Sequence, residues 1–235
     1  MSEEQERKRA VGSRVVVAVD GPSGSGKSST SRGVAMRLGL RYLDTGAMFR
    51  AMTWWMLRHD VEVNDAEAVA AHADTPRLAS GTDPRHPSIT VDGVDVAGPI
   101  RTPEVTAAVS AVSAVPAVRA RLLGEQRAII GDGGIVVEGR DIGTVVAPTA
   151  AVKVFLTAAA DARAVRRTAE LTVGTDPAAT ERDLLRRDRL DSGRVHAPLV
   201  MAADAVRVDT TTHSLDEVIE TVTALVERAQ QRTEA

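Results

Sequence analysis

Cysteine is absent from all 235 residues, which excludes disulfides and thiolate chemistry. Aromatic residues make up only 2% of the chain, and Tyr42, Phe49, Trp54, Trp55 and Phe155 are the full set. So few rings argue against a base-stacking nucleic-acid platform. They also leave the core to Val, Ala, Leu and Ile, which suits helices packed on a parallel sheet. No apolar run approaches the roughly 18 residues of a spanning helix, and the N-terminus lacks a signal-peptide core. Net charge is −3 with both signs intermixed, so no overall field draws the chain to DNA or an anionic membrane. A cytoplasmic protein with neither nucleic acid nor membrane as partner is expected. Lysine is scarce as well: Lys8, Lys27 and Lys153 are the only three, and arginine carries the remaining positive charge.

The length suits one α/β domain with a small insert. Residues 1–13 are charged and are expected to be a disordered tail. Arg14 to Asp20 is a β-branched run ending in Gly-Pro, the pattern of a buried parallel strand. A helix is expected from Lys27 to Leu38, stopped by Gly39, then a short extended piece at Tyr42-Leu43 and a helix from Thr45 to Arg58. Between residues 60 and 103 the texture changes. A short helical AEAVAAHAD gives way to SITVDG and VDVAG, which resemble an antiparallel hairpin. Helix returns from Glu104 to Ile130, with Pro116 near a helix start. GGIVVEG and AVKVFLTA read as buried strands and AVRVDTT as a last one. Ala160 to Arg189 is arginine-rich and helical, interrupted at 173–177. The final helix opens on Ser214 with Glu217 three residues on, a capping box. Alternating strands and helices imply a doubly wound parallel sheet.

The chemistry is most legible in GPSGSGKSS, from Gly21 to Ser29. It holds G-x-x-x-x-G-K-S directly after a strand and before a helix, the context a phosphate-binding loop requires. Glycines at 21, 24 and 26 let the backbone N–H groups turn inward toward phosphate oxygens. Pro22, Ser23, Ser25 and Ser29 complete the cradle, and the helix N-terminus adds positive potential. Lys27 can bridge β- and γ-phosphates, and Ser28 can ligate Mg²⁺.

A GTPase usually reads guanine through N-K-x-D, and the one asparagine, Asn64, precedes Asp65. That motif cannot exist here. DTGAMFR, from Asp44 to Arg50, instead offers a hydroxyl at Thr45, a helix N-terminus and an arginine, a set that would hold a second phosphate. Glu138 ends its strand where the acidic partner of a phosphate loop often holds a Mg²⁺-bound water. Capping of the next helix is an equal alternative for that carboxylate.

VDGPSGSGKSS, YLDTGAMFRA, IRTPEV, VEGRDIGTVV and RLDSGRVHAPLV together resemble the bacterial cytidylate kinases, collinearly from about Val15 to Leu225. The resemblance implies a P-loop kinase fold, with a five-stranded parallel sheet flanked by helices. It implies a core of residues 14–59, 104–158 and 190–235, a mixed α/β nucleotide-binding insert over 60–103, and a helical lid over 159–189. The implied reaction moves the γ-phosphoryl of ATP to CMP or dCMP with Mg²⁺, in a monomer.

By the same resemblance, Thr45, Arg50, Arg140 and Arg194 clamp the CMP phosphate, and Ser110, Arg119 and Asp141 read cytosine. Arg187 and Asp191 meet the sugar, with Arg187 also reaching phosphate, and Arg163 joins the ATP contacts. Lys27, Arg140 and Arg187 would carry catalysis. The residue types agree with cytosine, since an aspartate accepts from the 4-amino group while an arginine and a serine donate to N3 and O2. No general base is required, because the attacking phosphate oxygen is already anionic. The rivals are a UMP or AMP kinase and a non-catalytic nucleotide sensor on the same fold.

Overall fold

The computed structural model describes residues 14–170, 176–194 and 196–234. The tail expected over 1–13 and most of the interruption expected at 173–177 lie outside them. Five strands form one parallel sheet: β1 (Val16–Asp20), β2 (Arg41–Asp44), β6 (Ile135–Gly139), β7 (Val152–Thr157) and β8 (Val206–Asp209). Their spatial order is β2-β6-β1-β7-β8, so the strand that feeds the glycine-rich loop is central and buried. Alternation along it divides the core. Val17 and Val19 face α1 (Lys27–Leu38) and the last helix, α8 (Leu215–Glu234), with Val34, Val222 and Val226. Ala18 faces the opposite layer, with Met48, Met52 and Leu122. Those side chains come from α2 (Thr45–Arg58) and α5 (Pro116–Ile130).

Within residues 60–103 lie α3 (Ala66–Ala71) and a three-stranded antiparallel sheet of β3 (Leu78–Ser80), β4 (Ile89–Val91) and β5 (Val94–Asp95). The expected hairpin is β4 with β5. Asp92 (φ 51°) and Gly93 (φ 82°) form its two-residue turn in the left-handed region that D-G sequences favour. Trp55 Nε1 donates to Asp92 Oδ2 at 3.0 Å and ties this sheet to α2.

Sequence and structure differ at two places. β3 was not expected, since three residues leave no alternation to read. The helix expected from Glu104 to Ile130 is two helices, α4 (Pro103–Val112) and α5, because Pro116 starts a new helix and turns the chain at Ser113–Val115. The arginine-rich segment holds α6 (Ala160–Glu170) and α7 (Pro177–Ser192). Ser214 and Glu217 form the expected reciprocal cap: Ser214 N–H donates to Glu217 Oε2 at 2.8 Å, and Glu217 N–H to Ser214 Oγ at 3.3 Å. No single described helix is long and apolar enough to cross a membrane.

Candidate active site

Open parallel sheets place ligands beyond the carboxyl ends of their strands. A cleft of about 510 Å³ opens there, lined by the loops that follow β1, β2 and β6 and by α4, α5 and α7. At one end Gly24, Gly26, Lys27, Ser28 and Ser29 line it. Gly26 caps α1 with φ 87°, turning the chain so that the helix N-terminus faces the cleft. Lys27 is buried and donates from Nζ to the carbonyl of Pro22 at 2.7 Å, folding its side chain back across the loop. Burial, and then Arg140, push its pKa down, while Glu138 and Asp20 pull the other way.

Glu138 is the reciprocal case. Burial and then Asp44 push its carboxyl above the ordinary range, offset by Lys27 and by hydrogen bonds from Tyr42 and Ser28. The Tyr42 hydroxyl donates to Glu138 Oε1.

Guanidiniums line the same cleft, among them those of Arg50, Arg140, Arg187 and Arg194. Arg50 donates to the Ile100 carbonyl at 3.1 Å and to Thr106 Oγ1 at 2.9 Å. Arg140 donates from Nε to Asp191 Oδ2 at 2.8 Å, and Arg194 from Nη2 to Asp191 Oδ1 at 2.5 Å. Burial alone would raise the Asp191 carboxyl, but Arg140 and Arg194 outweigh it and hold it below its usual value. Arg187 is buried, lines the same space, and has an Nε with no hydrogen-bond partner among the described groups. Desolvation and then neighbouring guanidiniums push Arg50 and Arg187 downward, yet a guanidinium starts so high that both stay charged at neutral pH.

Arg119, also in the lining, donates from Nη2 to Asp141 Oδ2 at 2.5 Å, and from Nη1 to the Ser113 carbonyl at 3.1 Å. Its guanidinium also lies 5.3 Å from the Phe49 ring centroid, within cation–π range. Asp141 is raised by burial, with Arg119 opposing. Ser110 lines the same pocket.

Residues 17–228 match the family model described as cytidylate kinase. The chain belongs to the cytidylate kinase family. It is 58% identical to a cytidylate kinase of Streptomyces griseus over 217 residues, covering 92% of this chain and 94% of that one. To one from Streptomyces coelicolor it is 61% identical over 215 residues, covering 91% and 93%. Among solved structures, an uncharacterized protein from Eubacterium ventriosum aligns with a TM-score of 0.52 at 10% identity, over 92% of this chain and 99% of that chain. That last likeness concerns the fold alone.

Most residues expected from the motifs and the resemblance line one cleft: Ser23, Gly24, Gly26, Lys27, Ser28, Ser29, Thr45, Arg50, Ser110, Arg119, Glu138, Arg140, Asp141, Arg187, Asp191 and Arg194. Four do not line it. The carbonyl of Gly21 accepts from Arg140 at 3.0 Å, that of Pro22 from Lys27, and that of Ser25 from Thr210 Oγ1 at 3.1 Å. These three shape the loop from behind. Arg163, expected at a phosphate, donates to the carbonyls of Ala158 and Ser23 at 3.1 and 3.2 Å and pairs with Asp188. Through Nε and Nη1 it braces the loop at Ser23 against Ala158. Thr45 differs in detail as well. Asp44 is the residue that caps α2, accepting from Ala47 N–H at 2.9 Å, while the Thr45 hydroxyl donates to the Glu138 carbonyl at 2.7 Å and ties the helix to β6.

Three residues were missed. Ser113 accepts from Arg194 Nη2 at 2.9 Å at its hydroxyl, and the proline-driven break before Pro116 was the signal that its backbone leaves the helix there. Arg167 lines the cleft from α6 but looked like any solvated helical arginine. Asp20 is buried at the end of β1 beside Lys27; it read only as a strand terminus.

Among the described residues no cluster of three or more His, Cys, Asp or Glu is placed to hold a metal. The Ser28 hydroxyl beside the Glu138 carboxylate, with Asp44 close by, nonetheless fits Mg²⁺. That ion is bound through one or two oxygen ligands of the protein and otherwise by water and substrate phosphates.

Proposed function

We propose that the chain transfers the γ-phosphoryl of ATP to CMP or dCMP, releasing ADP and the corresponding diphosphate. The observation that carries this reading is a single cleft lined by a phosphate loop, by the Arg119–Asp141 pair, and by Arg50, Arg140, Arg187 and Arg194. One cleft lined by all three groups suits a triphosphate and a monophosphate meeting end to end. Loop amides and Lys27 hold the β- and γ-phosphates of ATP, and the four arginines hold the acceptor phosphate. An oxygen of that phosphate attacks the γ-phosphorus in line. As the new P–O bond forms, the bond to the β-phosphate oxygen breaks and its electron pair leaves with ADP. Mg²⁺, held by Ser28 and Glu138 through its water, would neutralise charge on the transferring group.

Positioning and charge neutralisation supply the rate, and no side chain needs to remove a proton. Burial of Lys27 and the arginines strengthens their pull on the phosphates, since little water competes there. The orphan Nε of Arg187 is a buried donor that an acceptor phosphate or sugar oxygen would satisfy.

At the base, Asp141 accepts from the cytosine 4-amino group while Arg119 and Ser110 donate to N3 and O2. Uracil would set a carbonyl against the carboxylate and an N–H against a donor. Such mismatches in a polar pocket cost several orders of magnitude in discrimination. Steady-state kcat/KM for CMP, dCMP, UMP and AMP tests the reading. CMP and dCMP should exceed the other two by at least about a hundredfold, and a preference for UMP or AMP would sink it.

A further inference from the structure

One buried carboxylate lies behind the cleft lining, beside Lys27. Asp20, the last residue of β1, is 4% exposed. Its two oxygens accept hydrogen bonds from the backbone N–H groups of Ile142 and Gly143, each at 2.8 Å. Those amides open a wide helical turn over Ile142–Val146, closed by bonds from Val146 N–H to the Asp141 carbonyl (3.1 Å) and from Ala147 N–H to the Ile142 carbonyl (2.8 Å). The first N–H groups of any helical turn have no partner inside it. A side chain at the preceding cap position normally supplies one, and aspartate is among the best residues for the purpose.

Asp141 occupies that cap position, yet its side chain makes no capping bond. Its carboxylate pairs with Arg119 and lines the cleft instead. Capping comes from the neighbouring strand, and both orphan amides are satisfied by one carboxylate. Such wide turns often mark functional sites.

We propose that Asp20 is a positioning residue for acceptor specificity. By capping the Ile142–Val146 turn from across the sheet, it leaves the Asp141 carboxylate available to select the pyrimidine. This rests on the reading of the cleft as a CMP site. Asp20 also immediately precedes Gly21, so the strand end that launches the donor loop fixes the acceptor loop as well.

Asp20→Asn tests the assignment. A carboxamide offers one acceptor oxygen and turns an N–H₂ toward the other amide, so an uncapped N–H is left to recruit Asp141 away from the base. The KM for CMP should rise about tenfold and the CMP-over-UMP preference fall about tenfold, while the KM for ATP stays within about threefold. Asp20→Glu, which keeps both acceptor oxygens, should restore part of the preference. Equal rises in both KM values, or a lower kcat with unchanged CMP-over-UMP preference, would mark Asp20 as merely structural. If Asp20→Asn does not fold, the same comparison is made on Asp20→Glu, where a selective acceptor-side loss supports the proposal. Failure of both variants to fold overturns it. A wild-type enzyme that prefers UMP or AMP would defeat the CMP reading on its own, whatever the variants do.

Discussion

Burial and neighbouring groups compete over Asp191 in this cleft and over Asp20 behind it, and the balance has opposite signs in the two. Asp191 sits low because two guanidiniums outweigh its desolvation, whereas Asp20 is pushed up to about 6 from 3.8 because burial outweighs its two backbone hydrogen bonds. A folded-state value above the unfolded one means the folded protein holds that proton more tightly. Between about pH 4 and 6, stability attributable to Asp20 therefore falls as pH rises, by about 3 kcal/mol in all. Asp20→Asn does not titrate. Calorimetric scans should show the Tm of this variant, relative to wild type, climbing by roughly 5–10 °C between pH 4 and pH 7. A constant difference would mean that the folded state does not bury a charged Asp20. At this scale the sequence was legible wherever a cleft residue belongs to a local motif, as Lys27 and Ser28 do. It was silent on Asp20 and Ser113, whose partners lie 122 and 81 positions away.

Elements are held by backbone geometry that only particular residues accept. Gly21 has φ 149°, and a Cβ there would lie 2.2 Å from the carbonyl oxygen of Leu156. Gly21→Ala must therefore push β7 away from the phosphate loop or distort the loop itself. Urea unfolding should register a loss of about 3 kcal/mol or more, and ATP binding should weaken in parallel. The helices α1 and α2 were readable to the residue, because Gly39 stops one and Asp44-Thr45 starts the other. β3 was not readable, since three residues of mixed exposure carry no period and owe their extended form to pairing with β4. The break between α4 and α5 was half visible: Pro116 announced a new start, but only the fold shows that the turn before it presents Ser113 to Arg194 and Arg119.

For the molecule as a whole, the strand order matters most. Because β1 lies beside β6, the loop that follows each rises at the same edge of the sheet, and the two loops become neighbours although over a hundred residues separate them. Alternating strands and helices foretold a parallel sheet; which strand stands next to which came from tertiary pairing. A ligand that bridges several loops stabilises all of them together. Saturating CMP, at about a hundred times its Kd, should contribute about 2.7 kcal/mol and raise Tm by roughly 5–10 °C in a thermal scan. The same concentration of AMP should raise it by less than half as much. The Asp191 carboxylate, clasped by Arg140 and Arg194, gives this edge a resident counter-ion. The two guanidiniums are thereby held in place, and their charge half-balanced, before any anion arrives. A clasped carboxylate thus keeps two like charges close together at a cost that neither could bear alone.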